Sequence, residues 1–492
     1  MRRFFTWKWA GRFAVLGFVL LIVAPLVYRA VLRAQGQSEL EKVVKALDES
    51  DPGWTLDDLC NERNAKLPPD DRNGFVMARK AMGQFPREFG NEVDSLTTAG
   101  QRPPNTQLRP DEAEQIEKLL AEYAAALATA RTLTDYPDGG QKLAFPEMPL
   151  DLDLNDTQKL RGVFMLLGFD AQAAAQANRP RDAIGSARAG LNASRSIGDE
   201  PTLLSQLVRT AGAAIACRSA ARALALCEPK EGDGLAELQA ELMRDADAKR
   251  LLYGMRGERA SVHRMFELME DGRIFNSPTG AAAAGTGSGI LNRAGLWALR
   301  GYLLADHVYS LRMMTAGVEA AKLPFDEQRE ALQNVPRPPK GDVRHGFSGQ
   351  LAPAVDKVNE AGLRIRGELL ATAVGVACER HRLRTGAWPR TLDDIPKDIL
   401  PAVPNDPFTG RPINYKWLPD GVVVYTVGPD GKDDGGAVLQ DDKAGVKQTD
   451  YGIRLWDPAH RRAPAPPPEP KEGDPELGGD GPEVAPTPRD RP

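Results

Sequence analysis

From Phe13 to Tyr28 the chain carries no charged residue, and Ala30, Val31 and Leu32 prolong the apolar run past Arg29. As a helix, Phe13 to Leu32 would span about 30 Å, the depth of a bilayer's hydrocarbon core. A helix that is apolar on every side has no polar face to give to water, so it must be covered by lipid or protein. The run therefore predicts a transmembrane anchor over residues 13–33, with Arg29 near the far interface, where its stem can snorkel. Arg2, Arg3, Lys8 and Arg12 precede the run without an acid among them. That bias sets residues 1–12 in the cytoplasm and the body outside it. Trp7 and Trp9 suit an interfacial belt. A cleaved signal peptide is the competing reading, but Tyr28, Arg29, Arg33 and Gln35 after the run give no clean Ala-x-Ala site. The expectation is an uncleaved, single-pass protein of the inner (cytoplasmic) membrane.

The remaining length must fold into something larger than one ordinary core, since the chain has 492 residues. Hydrophobic residues at 42% and charged residues at 27% are values of a folded chain. Net charge of −5 gives nucleic acid no basic footprint, so no nucleic-acid partner is expected. Aromatics at 6%, with alanine abundant in the middle of the chain, favour helices over sheets. The expected fold class is mainly α. Cys60, Cys217, Cys227 and Cys378 show no CxxC spacing and read as small buried hydrophobes. Cys217 and Cys227 lie ten apart on a helical stretch, about 15 Å of rise, which is too far for a disulfide.

A helical body is expected over residues 38–335. Asp57 and Asp58 after Thr55 mark a helix start. Ile116, Leu119, Leu120, Tyr123 and Leu127 recur at three and four within Pro110 to Thr132. Three helices follow, Thr157 to Asn178, Arg181 to Ile197 and Thr202 to Leu226, separated by Arg179-Pro180 and by Gly198-Asp199-Glu200-Pro201. Small residues at their crossings suggest either an antiparallel bundle or hairpins like tetratricopeptide repeats. Helices resume over Gly234 to Leu268. The run Thr279 to Gly289 reads as a flexible loop, Leu291 to Ala321 as a helix, and Val335 to Pro339 as a linker. Beyond it a small α+β module is expected over residues 350–457. Its helix runs from Pro353 to Arg384, with a seam Val355, Val358, Gly362, Ile365, Leu369, Thr372, Val376. Short β runs follow: Ile413 to Trp417, Val422 to Val427 and Gly452 to Trp456. The tail, residues 458–492, holds eleven prolines and should be disordered.

Catalytic motifs are absent: there is no G-x-S-x-G elbow, P-loop or H-E-x-x-H. His263, His307, His345, His381 and His460 read as isolated surface or core residues. Glu379 and His381 are two apart on a helix and face different ways. Arg256-Gly-Glu258-Arg259 reads as a buried salt-bridge network or an anion site. The most suggestive chemistry is Gly428-Pro-Asp430-Gly-Lys-Asp433-Asp434-Gly-Gly436, three carboxylates in a glycine-rich loop after a strand. Hard cations take six to eight oxygens, and glycines let carbonyls converge on one point. Ca²⁺ is the candidate cofactor, with Asp441, Asp442 and Asp450 available to complete the shell. An acidic turn without an ion is the alternative.

The order Arg384-Thr-Gly386, Trp388-Pro389, Leu392, Leu400-Pro401, Pro404, Asp406-Pro407-Phe408, Gly410, Pro412, Tyr415, Gly428-x-Asp430-Gly and Gly435-Gly436 resembles the C-terminal domain of the major pseudopilin of type II secretion. The similarity covers about residues 360–457. It implies calcium held by Asp430 and Asp450, with Val427 as a carbonyl ligand. Unlike pseudopilins, this chain has no prepilin-peptidase site at its anchor, and a long body separates anchor from module. The whole chain also resembles an uncharacterised family of membrane-anchored helical proteins from planctomycete-type bacteria, through Gly198-Asp-Glu-Pro201 and Arg256-Gly-Glu-Arg259.

Together these features predict a non-enzymatic structural or scaffold protein of the cell envelope, with a protein partner and a calcium-stabilised module. The pseudopilin resemblance implies a link to a secretion apparatus. The alternative is an envelope hydrolase whose carboxylates are gathered by the fold.

Overall fold

The apolar N-terminal run is helical throughout its described length. In this computed structural model, residues 7–86, 102–283, 290–339, 342, 345–439, 448–465 and 467 are described. Helix α1 (Trp7–Phe18) passes through a five-residue π turn, Val19–Val23, into α2 (Ala24–Ser50). Pro25 stands at the start of α2 and has no N–H to give the preceding turn, a misfit that a π turn absorbs. Divided in this way, no helix among the described residues is long and apolar enough to cross a membrane. The coarse expectation, a mainly helical chain with one small antiparallel sheet, describes the molecule.

The C-terminal half of α2 is packed into the body. Leu40, Val43, Val44 and Leu47 recur at helical spacing and meet Leu304, Val308 and Leu311 of α13 (Ile290–Lys322). Gly36 permits the closest approach: a Cβ there would stand 2.9 Å from Leu304 Cβ. Arg312 reaches Glu39 at 3.0 Å, and the charge of Lys322 acts on Asp51. Contacts that advance together along both helices mean that α2 and α13 run parallel.

Between them in sequence lie α3 (Leu56–Ala65), capped by Thr55 as expected, and α4 (Gly74–Met82). The expected single helix from Pro110 breaks at Tyr123 into α5 (Pro110–Glu122) and α6 (Ala124–Arg131). The central stack is α7 (Asn155–Gln176), α8 (Pro180–Arg195) and α9 (Leu203–Leu226), each within two residues of the expected limits. Small residues let the three approach: a Cβ on Gly212 would lie 2.8 Å from the Phe164 ring. Next come α10 (Leu235–Ala246) and α11 (Arg250–Asp271). Where a loop is expected from Thr279, the six residues Pro278–Ala283 form α12, and 284–289 lie outside the described residues. Helix α14 (Phe325–Gln333) leads to coil at Val335 to Pro339.

Helix α15 (Gly346–Thr385) extends over 40 residues and stops at Gly386, whose φ of 83° is the left-handed conformation that closes helices. Three antiparallel strands follow in the order β1 (Asn414–Leu418), β2 (Gly421–Thr426), β3 (Tyr451–Trp456). They fall within one residue of the expected runs. The sheet rests on α15 where that helix thins to glycine: a Cβ at Gly367 would come within 2.6 Å of Thr426 Oγ1. One continuous buried core joins Ala174, Leu224 and Leu242 of the body to Leu369, Trp388, Val424 and Ile453 beyond the coil. Each fully buried Leu or Ile of that core contributes about 1.5–3 kcal/mol. All four cysteines are free and buried within the structure, as small apolar residues would be.

The tail begins differently from expectation. Pro458–His460 forms a short 3-10 turn, and Arg461 and Arg462 dock onto the body. Composition argued for disorder from Pro458 because large apolar side chains are lacking, but two arginines find buried carbonyl and carboxylate acceptors instead. Residues 468–492 lie outside the described residues.

Candidate functional site

The acidic loop is the site the sequence singles out. Asp450, fully buried at the start of β3, accepts the Gly436 N–H at 2.8 Å and the Ala437 N–H at 3.1 Å on one oxygen. Burial raises its pKa, against the pull of those amides. Asp433 accepts the Gly435 N–H at 2.8 Å and the Tyr425 hydroxyl at 2.9 Å. Asp430 accepts the Lys432 N–H at 3.1 Å. The N–H of Asp434 points at Asp450 from 3.5 Å, and the N–H of Val427 donates to Asp406 at 2.9 Å. Asp441 and Asp442 lie outside the described residues. The structure thus brings Asp433, Asp434 and Asp450 together, with Asp433 and Asp450 accepting from the loop's own amides and Asp433 also from Tyr425 of β2. Among the described residues no three His, Cys, Asp or Glu side chains gather as metal ligands.

Arg256-Gly-Glu258-Arg259 does not pair within itself. Arg256 donates to Asp51 at 3.1 Å, Arg259 donates to the other oxygen of Asp51, and the Arg259 guanidinium lies 5.6 Å from the Trp54 ring centre. Burial opposes ionisation of Asp51, but Arg259, Arg256 and Lys322 together outweigh it and the pKa is lowered. Glu258, its own pKa raised by burial, accepts the Leu203 N–H at 3.1 Å and so closes the start of α9. Gly257 touches Pro201: a Cβ there would overlap the Pro201 carbonyl. The two elements that carry the resemblance to the planctomycete-type family are therefore one helix crossing. Beside it Glu200 is buried against Thr157 and Gln141, with its pKa raised by burial.

A cleft of about 240 Å³ opens between α10, α14, α15 and the Pro404 to Pro407 turn. Asp247, Asp326, Asp406 and Arg366 line it with Phe325. Both oxygens of Asp406 are engaged, by the Phe408 and Val427 N–H groups at 2.7 and 2.9 Å. Arg366 lies 3.5 Å over the Phe325 ring and pairs with Asp247 at 3.3 Å. Burial raises the pKa of Asp406, but its lone pairs are committed to the turn. Two of the three carboxylates that line the cleft are thus engaged, Asp247 by Arg366 and Asp406 by the turn.

Two of the five histidines, His263 and His307, are not isolated. His263 Nδ1 and His307 Nε2 stand 2.8 Å apart, joining α11 to α13. His307 Nδ1 meets Glu270 Oε1 at 2.9 Å, and His263 Nε2 lies 3.5 Å from Glu267. Phe266 stacks on the His307 ring at 4.7 Å, Trp54 leans on His263 at 4.8 Å, and His307 is wholly buried. Burial, then the neighbouring His307, lowers the pKa of His263 to about 3. The sequence held half of this signal, since His263, Glu267 and Glu270 share one helix face at i, i+4 and i+7. Nothing in the spacing announced His307 as the fourth member.

No known protein family, curated protein or solved structure matches the chain.

Proposed function

We propose that the protein is a non-enzymatic structural protein of the cell envelope, held in the cytoplasmic membrane by α1 and the first half of α2. One observation carries the reading. Eleven large apolar side chains between Phe13 and Val31 are exposed, from 37% at Val23 to 65% at Val15, on a helix whose continuation is buried in the body. Apolar exposure on that scale marks a membrane or partner contact, and its distribution around the helix without a charged face favours lipid. Because α2 runs from the apolar segment into the core with no loop between, the body is coupled stiffly to the membrane. Arg2, Arg3, Lys8 and Arg12 support a cytoplasmic N-terminus and an extracytoplasmic body. The scaffold role is supported by a core that runs from the body into the C-terminal module and by carboxylates that close turns and helix ends. A link to a secretion apparatus rests on the pseudopilin resemblance of residues 360–457.

Protease added to spheroplasts should degrade the body while leaving a short N-terminal fragment. A body fully protected until the membrane is lysed would overturn the orientation. A soluble body lacking residues 1–33 would overturn the anchor.

A further inference from the structure

Helix α13 reaches past two of the helices packed on it. Helix α11 runs antiparallel to it, with Met255 beside Gly317 and Glu270 beside His307, and ends at Asp271. Helix α15 begins at Gly346, where the Phe347 and Ser348 N–H groups donate to Asp306. Ala281 and Leu303 share one apolar cluster with Met148 and Phe266, so the chain leaves the body near Ala281 and rejoins it at Leu303. The first turns of α13, from Ile290 to Tyr302, therefore stand beyond the ends of α11 and α15.

Helix α2 continues at their level. It runs parallel to α13, with Gly36 against Leu304, Glu39 bound to Arg312 and Asp51 within the field of Lys322. Counted back along the two axes, Ile290 lies about 21 Å before Leu304, level with Ile22, and Tyr302 is level with Ala34. The fold thus sets the first turns of α13 beside the outer part of the apolar run. Their sequence suits that place. No acid occurs between Asp271 and Asp306, and none precedes Glu39 in the other strand of the pair. Ile290, Leu291, Leu296, Trp297, Leu299 and Tyr302 are spread all round the helix at 3.6 residues per turn, while Arg293 and Arg300, two turns apart, share one face.

We propose that the first turns of α13 are a second membrane contact, which binds phospholipid at the boundary of headgroups and acyl chains beside the anchor. The leaflet, the one facing the body, rests on the anchor reading of the N-terminal run. Acyl chains cover the apolar surface, and the two arginines extend their stems to donate to lipid phosphates. The same arginines, with the first-turn N–H groups that have no partner inside a helix, keep the segment from crossing the bilayer. Two adjoining helices then hold the body to the membrane, so that it resists tilting about α2.

Fluorescence from single added cysteines in the full chain tests the contact, since all four native cysteines are buried. Each variant carries a polarity-sensitive dye and is reconstituted in phosphatidylcholine–phosphatidylglycerol vesicles, with and without nitroxide-labelled phospholipid. Trp297→Cys and Leu299→Cys lie about 200° apart around α13, so one of them faces lipid whichever side meets α2. Val27→Cys reports on the anchor, and Glu228→Cys, exposed at the end of α9, reports on solvent. The labelled lipid should quench at least one of the two α13 positions severalfold more than it quenches Glu228→Cys. Quenching at Val27→Cys with none at either α13 position would overturn the second contact and leave the anchor standing. Quenching on α13 with none at Val27→Cys would keep the contact and overturn the anchor. Absence of quenching at all three positions would overturn both.

Discussion

Arg461 Nη2 donates to both carboxylate oxygens of Glu379, each at 3.0 Å, across 82 residues of sequence. Neither side chain reaches solvent to any extent, at 2% and 0% exposure. The same guanidinium donates through Nη1 to the Cys227 carbonyl at 2.6 Å and through Nε to the Trp456 carbonyl at 3.1 Å. One residue beyond the sheet thereby ties α9, α15 and β3 together. Truncation after Trp456 removes it and leaves the Glu379 carboxylate buried with Arg382 alone. Breaking a buried pair from one side costs about 3–5 kcal/mol, and the retained Arg382 places this variant near the low end. Truncation after Trp456 should lose more stability in urea melts than Arg461→Ala, because it also removes Asp457 and Arg462, and truncation after Ala463 should lose almost none. Wild-type stability in the chain ending at Trp456 would show the docking to be dispensable.

Within the acidic loop the carboxylates differ sharply in what they hold. Asp450→Ala leaves two close backbone N–H groups without an acceptor and should cost about 3 kcal/mol. Asp430→Ala removes one exposed bond and should stay within about 0.5 kcal/mol. Calcium binding by the loop predicts a larger rise in melting temperature with millimolar calcium than with magnesium, abolished by Asp430→Ala; equal responses to the two ions would leave an acidic turn.

Gly257 faces the Pro201 carbonyl with no room for a methyl group. Gly257→Ala must push α11 away from the turn before α9, disturbing the Glu258 bond to Leu203 as well. A loss of about 3 kcal/mol is expected by chemical denaturation, at the upper end of overpacking effects. A neutral result would mean that this crossing is loosely packed.

Local order was plain from the chain where one residue's character decides the outcome. The breakers around Gly198 and Gly386 and the apolar run from Val422 placed helix ends and strands to within two residues, whereas the helix carrying the seam through Leu369 begins at Gly346, seven residues before the expected Pro353. What escaped was pairing between distant segments. His307 carries no mark that it will meet His263, 44 residues earlier. Arg461 sits in a proline-rich stretch whose composition forecasts disorder, because composition cannot register one buried acceptor set aside elsewhere in the fold. The acidic loop was legible as a loop, but its carboxylates spend themselves on backbone amides, which sequence does not show. Arg256 and Arg259 form the buried ion pairs between segments that their spacing suggests, but that Asp51 is the acid they meet lies outside what the spacing shows.

The central claim is that the exposed apolar face of α1 and α2 lies in lipid, and flotation of the purified full chain with phospholipid vesicles tests it most directly. Wild type should float with the vesicles and resist extraction by alkaline carbonate. The triple variant Leu16→Glu, Leu20→Glu, Val27→Glu alters only exposed positions. It should remain at the bottom of the gradient with the unfolding behaviour of its body unchanged. Co-flotation of the triple variant with equal carbonate resistance, or a wild type that stays soluble without vesicles, would contradict the account.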